Sequence, residues 1–293
     1  MKNKLSLFAV PYVGWMSIFV VAPIIIMVVY AFSTAAGDFT LENFARMGTY
    51  TAVFTRSFKL AIIATLIALL IGYPVSYMLS KEGPQVQRIA MVLIMLPMWM
   101  NFLLRTYSWM SILENNGLLN QFFRAIGLID LYNSIAIHFA ADPAAYQPIT
   151  YFQMMGTSGA VVLGMVYNYL PFMILPIYSV LVKLDHSLIE AARDLGASSV
   201  QVFRKVILPL SLPGVLSGIT MVFVPSVSTF AISRLLGGGT QMMLGDLIEQ
   251  QFLGGAYNPQ LGAAIALVMM AIVVVCMLVM NRFGDGEEQA VML

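Results

Sequence analysis

Residues 185–209 read DHSLIEAARDLGASSVQVFRKVILP, a polar stretch between two apolar segments that are each long enough to cross a bilayer. Ser187 and Ser198 are each followed three residues later by a Glu or Gln side chain, which is the spacing of a helix capping box. Gly196 lies between these two pairs, where a residue in the left-handed conformation can end a helix. The stretch therefore predicts two short helices joined by a sharp turn.

The first of these helices has one face of small and aliphatic side chains. At helical spacing this face carries Leu188, Ala191, Ala192 and Leu195. Alanine side chains allow another surface to approach closely, and the charges of Glu190, Arg193 and Asp194 lie around the face. The pattern favours a helix that docks into a groove of a partner protein. The alternative is an ordinary surface helix in a cytoplasmic loop.

The composition is that of an integral membrane protein. Of the 293 residues, 60% are hydrophobic and only 10% are charged, whereas a soluble domain has about 25% charged residues. The net charge is +1, and the sequence has no basic cluster with interleaved aromatic residues that would suggest nucleic-acid binding. One cysteine and two isolated histidines predict neither a disulfide nor a metal site.

Six apolar segments have the length of about 20 residues that a membrane-spanning helix needs. They are residues 8–32, 58–80, 89–112, 159–182, 209–233 and 261–281. Pro97 and Asn101 interrupt the third segment, and a GxxxG pair in the fifth, Gly214 with Gly218, favours close helix contact. We therefore predict an all-α membrane protein in which residues 1–293 form one transmembrane domain, with the loop 185–208 between the fourth and fifth spans.

The basic residues indicate how these spans are oriented. With the N-terminus inside, the inner segments hold nine Lys and Arg residues, whereas the longer outer segments hold five. This bias is the one that the positive-inside rule expects. It predicts that both termini and the loop 185–208 are cytoplasmic, on the side where ATP is available.

The predicted spans offer little ionisable chemistry. Away from the span ends, Arg105 is the one Asp, Glu, Lys or Arg side chain within them, whereas proton-coupled carriers place acidic groups inside the membrane. The sequence also lacks a GxxxxGK[ST] phosphate-binding loop. We therefore predict that the chain is not an enzyme, binds no cofactor and depends on another protein for energy. A stand-alone carrier or channel is the alternative.

The loop resembles the EAA loop of ABC importer permeases. The triplet Glu-Ala-Ala at 190–192, a glycine four residues later and the run Val-Ile-Leu-Pro at 206–209 carry this resemblance, although the family usually has isoleucine in place of Val206. The resemblance implies that the loop is a coupling helix that sits on an ATPase subunit. The residues that it marks as ATPase-coupling are Glu190, Ala191, Ala192, Asp194 and Gly196.

Further segments resemble the spermidine/putrescine permeases. The order P-x-W-x-N-x-x-x-R-x-Y at 97–107 is similar to their third span, residues 170–190 to their fourth span and loop, and residues 237–252 to their last outer loop. The resemblance covers most of residues 58–282, and the segment 138–157 is longer than the family usually shows. Iron, thiamine and opine permeases share parts of the pattern, so other small cargoes stay open.

This resemblance implies a multisubunit importer in the bacterial inner membrane. The implied partners are a second, similar permease chain that forms a heterodimer with this one, a homodimeric ABC ATPase that uses ATP and Mg²⁺, and an extracytoplasmic substrate-binding protein. The lipid bilayer would surround the permease pair.

A polyamine is a flexible chain of ammonium groups, so its path needs carboxylates and aromatic faces. Our candidates for the substrate path or gate are Asn101, Arg105, Tyr107, Trp109, Glu114, Tyr169, Asp246 and Glu249. Because Arg105 repels a cation, we expect it either to pair with an acid such as Glu114 or to hold the outer gate. The alternative is that the aromatic residues form an interfacial belt and the carboxylates are simply solvated.

Overall fold

The computed structural model describes residues 11–139, 146–255 and 257–291, with the backbone alone for residue 281 and residues 283–291. Helices dominate these residues, and the one β interaction among them is an isolated antiparallel bridge between Ser33 and Phe39. The all-α fold predicted from the sequence is confirmed.

We number thirteen helices within the described ranges. They are α1 (Pro11–Ala31), α2 (Glu42–Arg46), α3 (Thr51–Ser80), α4 (Pro84–Trp99), α5 (Phe102–Leu113), α6 (Leu118–Ala125), α7 (Leu128–His138), α8 (Ser158–Leu181), α9 (His186–Asp194), α10 (Ser199–Ser228), α11 (Ala231–Leu236), α12 (Leu244–Leu253) and α13 (Pro259–Val291).

Helices α1, α3, α8, α10 and α13 are each long and apolar enough to cross a bilayer. The predicted segment 58–80 lies within α3, 261–281 lies within α13, and α8 is shifted by one residue from 159–182. The N-terminal residues 1–10, which include the beginning of the predicted segment 8–32, lie outside the described part of the chain. A sixth crossing is available if α4 and the helical segment Phe102–Ala125, which contains α5 and α6, together form one bent span.

The predicted third span, 89–112, is therefore not one straight helix. The axis bends by 90° between α4 and the helical segment that begins at Phe102. Pro97 lies in the last turn of α4, where its ring takes away a backbone donor. Asn101 then starts α5, because its side-chain oxygen accepts hydrogen bonds from the backbone N–H groups of Leu103 (2.9 Å) and Leu104 (3.4 Å).

The predicted fifth span, 209–233, was too long at its outer end. Helix α10 stops at Ser228, and Thr229 with Phe230 separates it from α11. Helix α12 packs onto this break so closely that a Cβ atom at Gly245 would lie only 2.3 Å from the Ser228 carbonyl oxygen. The break thus coincides with a contact between distant parts of the chain.

Helices α3, α8 and α10 form the centre of the molecule. Their shared buried cluster contains Ala68, Met173, Ile177, Val215 and Val222. The backbones of α8 and α10 approach so closely that a Cβ atom at Gly214 would lie 2.9 Å from the Pro176 carbonyl oxygen. The GxxxG pair therefore lies at a helix–helix contact, as predicted.

Polar side chains also join these three helices. The hydroxyl groups of Tyr73 on α3 and Ser211 on α10 lie 2.8 Å apart, within hydrogen-bond distance. Ser76 donates to the carbonyl oxygen of Ile174 on α8 at 3.1 Å. Such bonds satisfy polar groups that would otherwise face hydrocarbon, and they fix the register of the three helices.

The segment predicted as an outer insertion, 138–157, returns to the bundle along α6 and α7. Asn133 accepts a hydrogen bond from the backbone N–H of Ile149 at 2.9 Å, and Asn120 accepts one from Phe152 at 2.9 Å. The turn predicted at Asp142-Pro143 lies outside the described residues. Hydrogen bonds to the side chains of Asn120 on α6 and Asn133 on α7 therefore hold this segment against the two helices.

The contact between α8 and α10 generates a prediction about stability. Gly214→Val should lower the free energy of unfolding by about 1–3 kcal/mol, because a side chain at this position overpacks the α8 backbone. The measurement is the melting temperature of the purified protein in detergent. Gly14→Val in α1 is the matched control, since a Cβ atom there meets no atom within 4 Å. Equal melting temperatures of the two variants would contradict the prediction.

Candidate functional site

The loop 185–208 begins with a helix cap that differs from the predicted one. Asp185 precedes α9 and accepts a hydrogen bond from the backbone N–H of Ser187 at 2.9 Å. This hydrogen bond holds the pKa of the exposed Asp185 carboxyl below its usual value. The predicted capping box of Ser187 and Glu190 was wrong, because an aspartate two residues before Ser187 already caps the helix. Aspartate's strong preference for the N-cap position was the sequence signal for it.

The turn after α9 agrees with the prediction. Gly196 has a φ angle of +82°, in the left-handed region, and its N–H donates to the Arg193 carbonyl oxygen at 2.8 Å. Ser198 and Gln201 form a complete capping box at the start of α10, with each side chain accepting from the other residue's backbone N–H. The two helices are therefore joined by a short turn whose conformation is set by local hydrogen bonds.

Helix α9 has an exposed apolar face. Leu195 is 88% exposed and Leu188 is 48% exposed, and Ala191 between them is also exposed. Ala192, which was predicted on the same face, instead packs with Ile189 against the core cluster of α3, α8 and α10. The face available to a partner is thus narrower than predicted.

The charged residues of the predicted set lie on the solvent side of α9. Glu190 and Asp194 are exposed. Within the described residues, the ion pairs are Arg46 with Glu42 and Arg234 with Glu249, so neither Glu190 nor Asp194 is held by an internal partner. Both carboxylates are available to a second protein.

The candidate path residues on the third span have separate roles in the structure. Asn101 uses its side-chain oxygen to cap α5, and Tyr107 is half exposed on the outside of that helix. Trp109 packs against a buried cluster that includes Leu113, Met165 and Ile232. It also meets the Tyr167 ring edge-on, with 5.3 Å between centroids. Trp109 is therefore a packing residue, whereas Tyr107 is accessible.

Arg105 is the unusual group in this region. It is only 7% exposed, yet its Nε and Nη1 atoms have no hydrogen-bond partner among the described residues. The expected ion pair between Arg105 and Glu114 does not form, because Glu114 lies beyond the end of α5 and is exposed. Tyr169 lies on α8 and packs against the same buried cluster as Trp109. A buried, unpaired guanidinium is costly, so Arg105 lies in a position that favours another state or another partner.

The two carboxylates of α12 differ in environment. Asp246 is 4% exposed, and its Oδ2 atom accepts hydrogen bonds from the Ser233 hydroxyl (2.5 Å) and the Met243 backbone N–H (3.1 Å). Burial raises the pKa of Asp246, while the bond from Ser233 opposes this rise. Glu249 forms a two-pronged ion pair with Arg234 of α11. In this conformation Glu249 is paired and Asp246 is held through Oδ2, whereas the buried Oδ1 atom of Asp246 has no hydrogen-bond partner among the described residues.

Apart from Tyr169 on α8, the candidate path residues lie in α5 or at its ends, or in α12. Both α5 and α12 contact α11. Sequence reasoning missed Ser233 and Arg234, the α11 residues that hold the two carboxylates of α12. Nothing in the sequence pairs them with residues 13 and 15 positions later. The spacing i, i+3 and i+4 predicts contacts within one helix. The contacts of Ser233 and Arg234 with α12 instead join two helices across a loop.

Comparison with known proteins decides the family. Residues 68–287 match the family described as "Binding-protein-dependent transport system inner membrane component". This chain belongs to that family. It is a membrane permease subunit, and the resemblance predicted from the EAA loop is confirmed.

Curated relatives extend over nearly the whole chain. The Escherichia coli "Spermidine/putrescine transport system permease protein PotB" is 35% identical over 281 residues, which cover 93% of this chain and 95% of that protein. The Haemophilus influenzae protein of the same name is also 35% identical, over 93% of each chain. The Escherichia coli "Inner membrane ABC transporter permease protein YdcU" is 29% identical over 79% of this chain and 71% of that protein.

Solved structures have the same fold. A chain of a bacterial ABC transporter for import of the acidic polysaccharide alginate superposes with a TM-score of 0.76, at 16% identity and over 97% of this chain and 96% of that chain. A chain of the inward-facing MetNI methionine ABC transporter gives 0.53 at 19% identity, over 84% and 98% of the two chains. These likenesses support the permease fold and leave the cargo open.

The buried guanidinium gives a prediction for transport. Arg105→Met should raise the unfolding free energy by about 1–4 kcal/mol, because a side chain of similar size replaces an unpaired buried charge. The same variant should lose uptake if Arg105 holds the outer gate. Melting temperature and uptake by reconstituted vesicles are the measurements.

Arg88→Met is the matched control, since Arg88 is exposed on α4 and should change neither property. Wild-type uptake by the Arg105→Met protein at normal expression would remove Arg105 from the gate.

Proposed function

We propose that this chain is a permease subunit of an ATP-driven importer for spermidine and putrescine. The observation that carries the cargo is the 35% identity over 93% of the chain to spermidine/putrescine permeases of several bacteria. The match includes the outer segments, where cargo is received, as well as the coupling loop. Importers of iron, thiamine or opines are the alternatives within this class.

The proposed complex contains partners of three kinds. They are a second, similar permease chain, a homodimeric ABC ATPase with its ATP and Mg²⁺, and an extracytoplasmic binding protein. A related fold has been solved as an alginate transporter "in complex with alginate pentasaccharide-bound periplasmic protein", which supports the last of these. ATP hydrolysis belongs to the ATPase, because the present sequence has no phosphate-binding loop.

We place both termini and α9 in the cytoplasm. The basic residues support this orientation, because nine of the fifteen lie in the segments that it puts inside. Helix α9 then reaches an ATPase, with Leu188, Ala191 and Leu195 as the docking face and the carboxylates of Glu190 and Asp194 beside it.

The coupling loop transmits motion in both directions along rigid helices. One end of the loop leaves α8 and the other enters α10, and these helices are in backbone contact. Closure of the ATPase dimer moves α9, and the turn at Gly196 passes this motion to α10. Rigid-body switching of this kind opens one side of the permease and closes the other. Ala192 contributes by anchoring α9 to the helix bundle.

The outer end of the proposed path is closed in this conformation. The ion pair with Arg234 neutralises Glu249, and Asp246 is buried by α11 and α12. We propose that outward opening separates α11 from α12 and gives both carboxylates to the ammonium groups of the cargo. Tyr107 and Tyr169 are the aromatic candidates along the path, and Arg105 repels cations until the gate opens.

The cargo is tested by the ATPase activity of the whole complex. We expect binding protein loaded with spermidine or putrescine to stimulate ATP hydrolysis, whereas thiamine- or iron-loaded binding proteins should not. Stimulation only by a thiamine- or iron-loaded binding protein would support the assignment as an importer and contradict the polyamine as its cargo. If an intact complex purified through this subunit contains no ATPase, the chain is a carrier or channel instead.

The turn after α9 gives a second test. Gly196→Val should uncouple ATP hydrolysis from uptake, because valine strongly disfavours the left-handed backbone at this position. We expect a loss of uptake per ATP hydrolysed of about 5- to 30-fold, the effect of roughly 1–2 kcal/mol of backbone strain on the coupled state. Reconstituted complexes allow both rates to be measured together.

Gly37→Val is the matched control for this variant. Gly37 has a φ angle of +93°, and at Gly37, as at Gly196, an added Cβ atom would meet no atom within 4 Å. Gly37 lies in the opposite, outer segment, so the control should bear the same backbone strain without uncoupling. Full coupling in Gly196→Val would show that the turn does not transmit motion.

A further inference from the structure

A cavity of about 380 Å³ separates α9 from the ends of the spanning helices α3 and α8. Three basic side chains line it, Lys81 just after α3 and His186 with Arg193 on α9. Its remaining wall is largely apolar and includes Leu181 and Val202. We call this cavity the basic pocket.

The basic pocket has no acidic residue in its lining. None of its three basic groups forms an ion pair within the described residues, where the two ion pairs lie elsewhere. The Lys81 ammonium lies 3.8 Å from the centroid of the Tyr77 ring, which holds the charge at the rim. The nearby Asp185 carboxylate is used in capping α9. The positive charge of the pocket is therefore unmatched by the chain itself.

The basic pocket and the proposed ATPase-docking face lie on opposite sides of α9. At 100° per residue, His186, Ile189 and Arg193 share one side of the helix. Leu188, Ala191 and Leu195 lie about 180° away from them and are exposed. A protein seated on the docking face therefore leaves the basic pocket for a different ligand.

We propose that the basic pocket binds a phosphate group, supplied by an anionic phospholipid of the inner leaflet. The pocket lies at the ends of two helices that are long and apolar enough to span a bilayer. Lipid headgroups lie at the ends of such spans, and basic pockets between membrane helices suit them. Its apolar wall fits the glycerol and first methylene groups of a lipid, which a free phosphate compound lacks. The assignment to the inner leaflet rests on the orientation proposed above.

A phosphate in the basic pocket bridges a fixed element and a moving one. Lys81 belongs to the end of α3, in the central bundle, whereas His186 and Arg193 belong to α9. One headgroup that contacts both sides restrains α9 relative to the bundle. Anionic lipid thereby tunes how well ATP hydrolysis is coupled to uptake.

The direct test is lipid retention by the complete transporter complex. The complex is extracted from membranes that contain phosphatidylglycerol, and the retained lipid is counted by native mass spectrometry. We expect Lys81→Gln to weaken retention of phosphatidylglycerol about fivefold, the effect of one basic residue near an anionic surface. Arg88→Gln removes the same charge from the exposed surface of α4, outside the pocket, and should retain lipid like the wild type.

A binding experiment with inorganic phosphate distinguishes a lipid headgroup from a free phosphate compound as the source of the phosphate group. Equilibrium dialysis with labelled phosphate should show no binding that depends on Lys81 if the ligand is a lipid. Phosphate binding that Lys81→Gln abolishes, without retained phosphatidylglycerol, would assign the basic pocket to a free phosphate compound. Equal lipid retention by Lys81→Gln and wild type, with no phosphate binding, would overturn the proposal. So would a crosslink from position 193 to the ATPase.

The same complexes distinguish this inference from the proposed function. In nanodiscs, phosphatidylglycerol should improve uptake per ATP over phosphatidylcholine for wild type and Arg88→Gln, and much less for Lys81→Gln. If polyamine-loaded binding protein fails to stimulate any of them, the proposed cargo is wrong, and lipid retention still tests the basic pocket. If polyamine-loaded binding protein stimulates ATP hydrolysis normally but phosphatidylglycerol retention does not depend on Lys81, the proposed cargo stands and the proposed lipid site is wrong.

Discussion

The contact between α8 and α10 is the constraint on which the rest of the structure depends. Two glycines let the helix backbones meet, and a Cβ atom added at Gly214 would lie only 2.9 Å from a carbonyl oxygen of α8. Helix α3 then packs over both helices. Because α9 is tethered between α8 and α10, the contact fixes where the coupling loop begins and ends. The 17 residues between these two helices, 182–198, which include α9, are thereby held at both ends.

The half of the molecule away from α9 is built from interrupted helices. Pro97 and Asn101 turn the chain by 90°, and Thr229 with Phe230 breaks α10 from α11. Non-helical backbone at membrane depth is tolerated where protein covers it, and the tight approach of α12 at Gly245 supplies this cover. The buried Arg105 and Asp246 lie in the same half, where breaks give helices freedom to move. In the proposed mechanism these interruptions suit a movable gate. Helix α10 is itself irregular beside the loop, because Phe203–Ile207 is a π-helical stretch.

Much of this arrangement follows from the sequence. Hydropathy predicts the spans, and Gly196 with the capping box at Ser198 predicts the turn, because these signals act over a few neighbouring residues. The family could be recognised from the EAA loop for the same reason. The sequence could not predict that Ala192 packs against the helix bundle, since an alanine fits either a core or an interface.

The outer site was less accessible to sequence reasoning. The partners of Asp246 and Glu249 come from α11, and the position of α11 depends on where α10 breaks. An apolar run of 25 residues, 209–233, satisfies the length of a span and conceals that break. The missing Arg105–Glu114 pair has a similar cause. The two residues are nine positions apart in the sequence, but Arg105 is buried within α5 whereas Glu114 lies beyond its end.

The exposed leucines of α9 have a consequence for the life of the chain before assembly. Leu195 keeps 88% of its surface open, and Leu188 next to it on the helix is half open. A newly inserted copy without its partner carries this apolar patch on a water-facing loop, where chaperones and proteases triage uncovered hydrophobic surface. In the proposed complex the ATPase covers this patch, so a copy without its partner is expected to be a target for removal. The amount of this protein in the cell is then expected to depend on the supply of its partner as well as on its own synthesis.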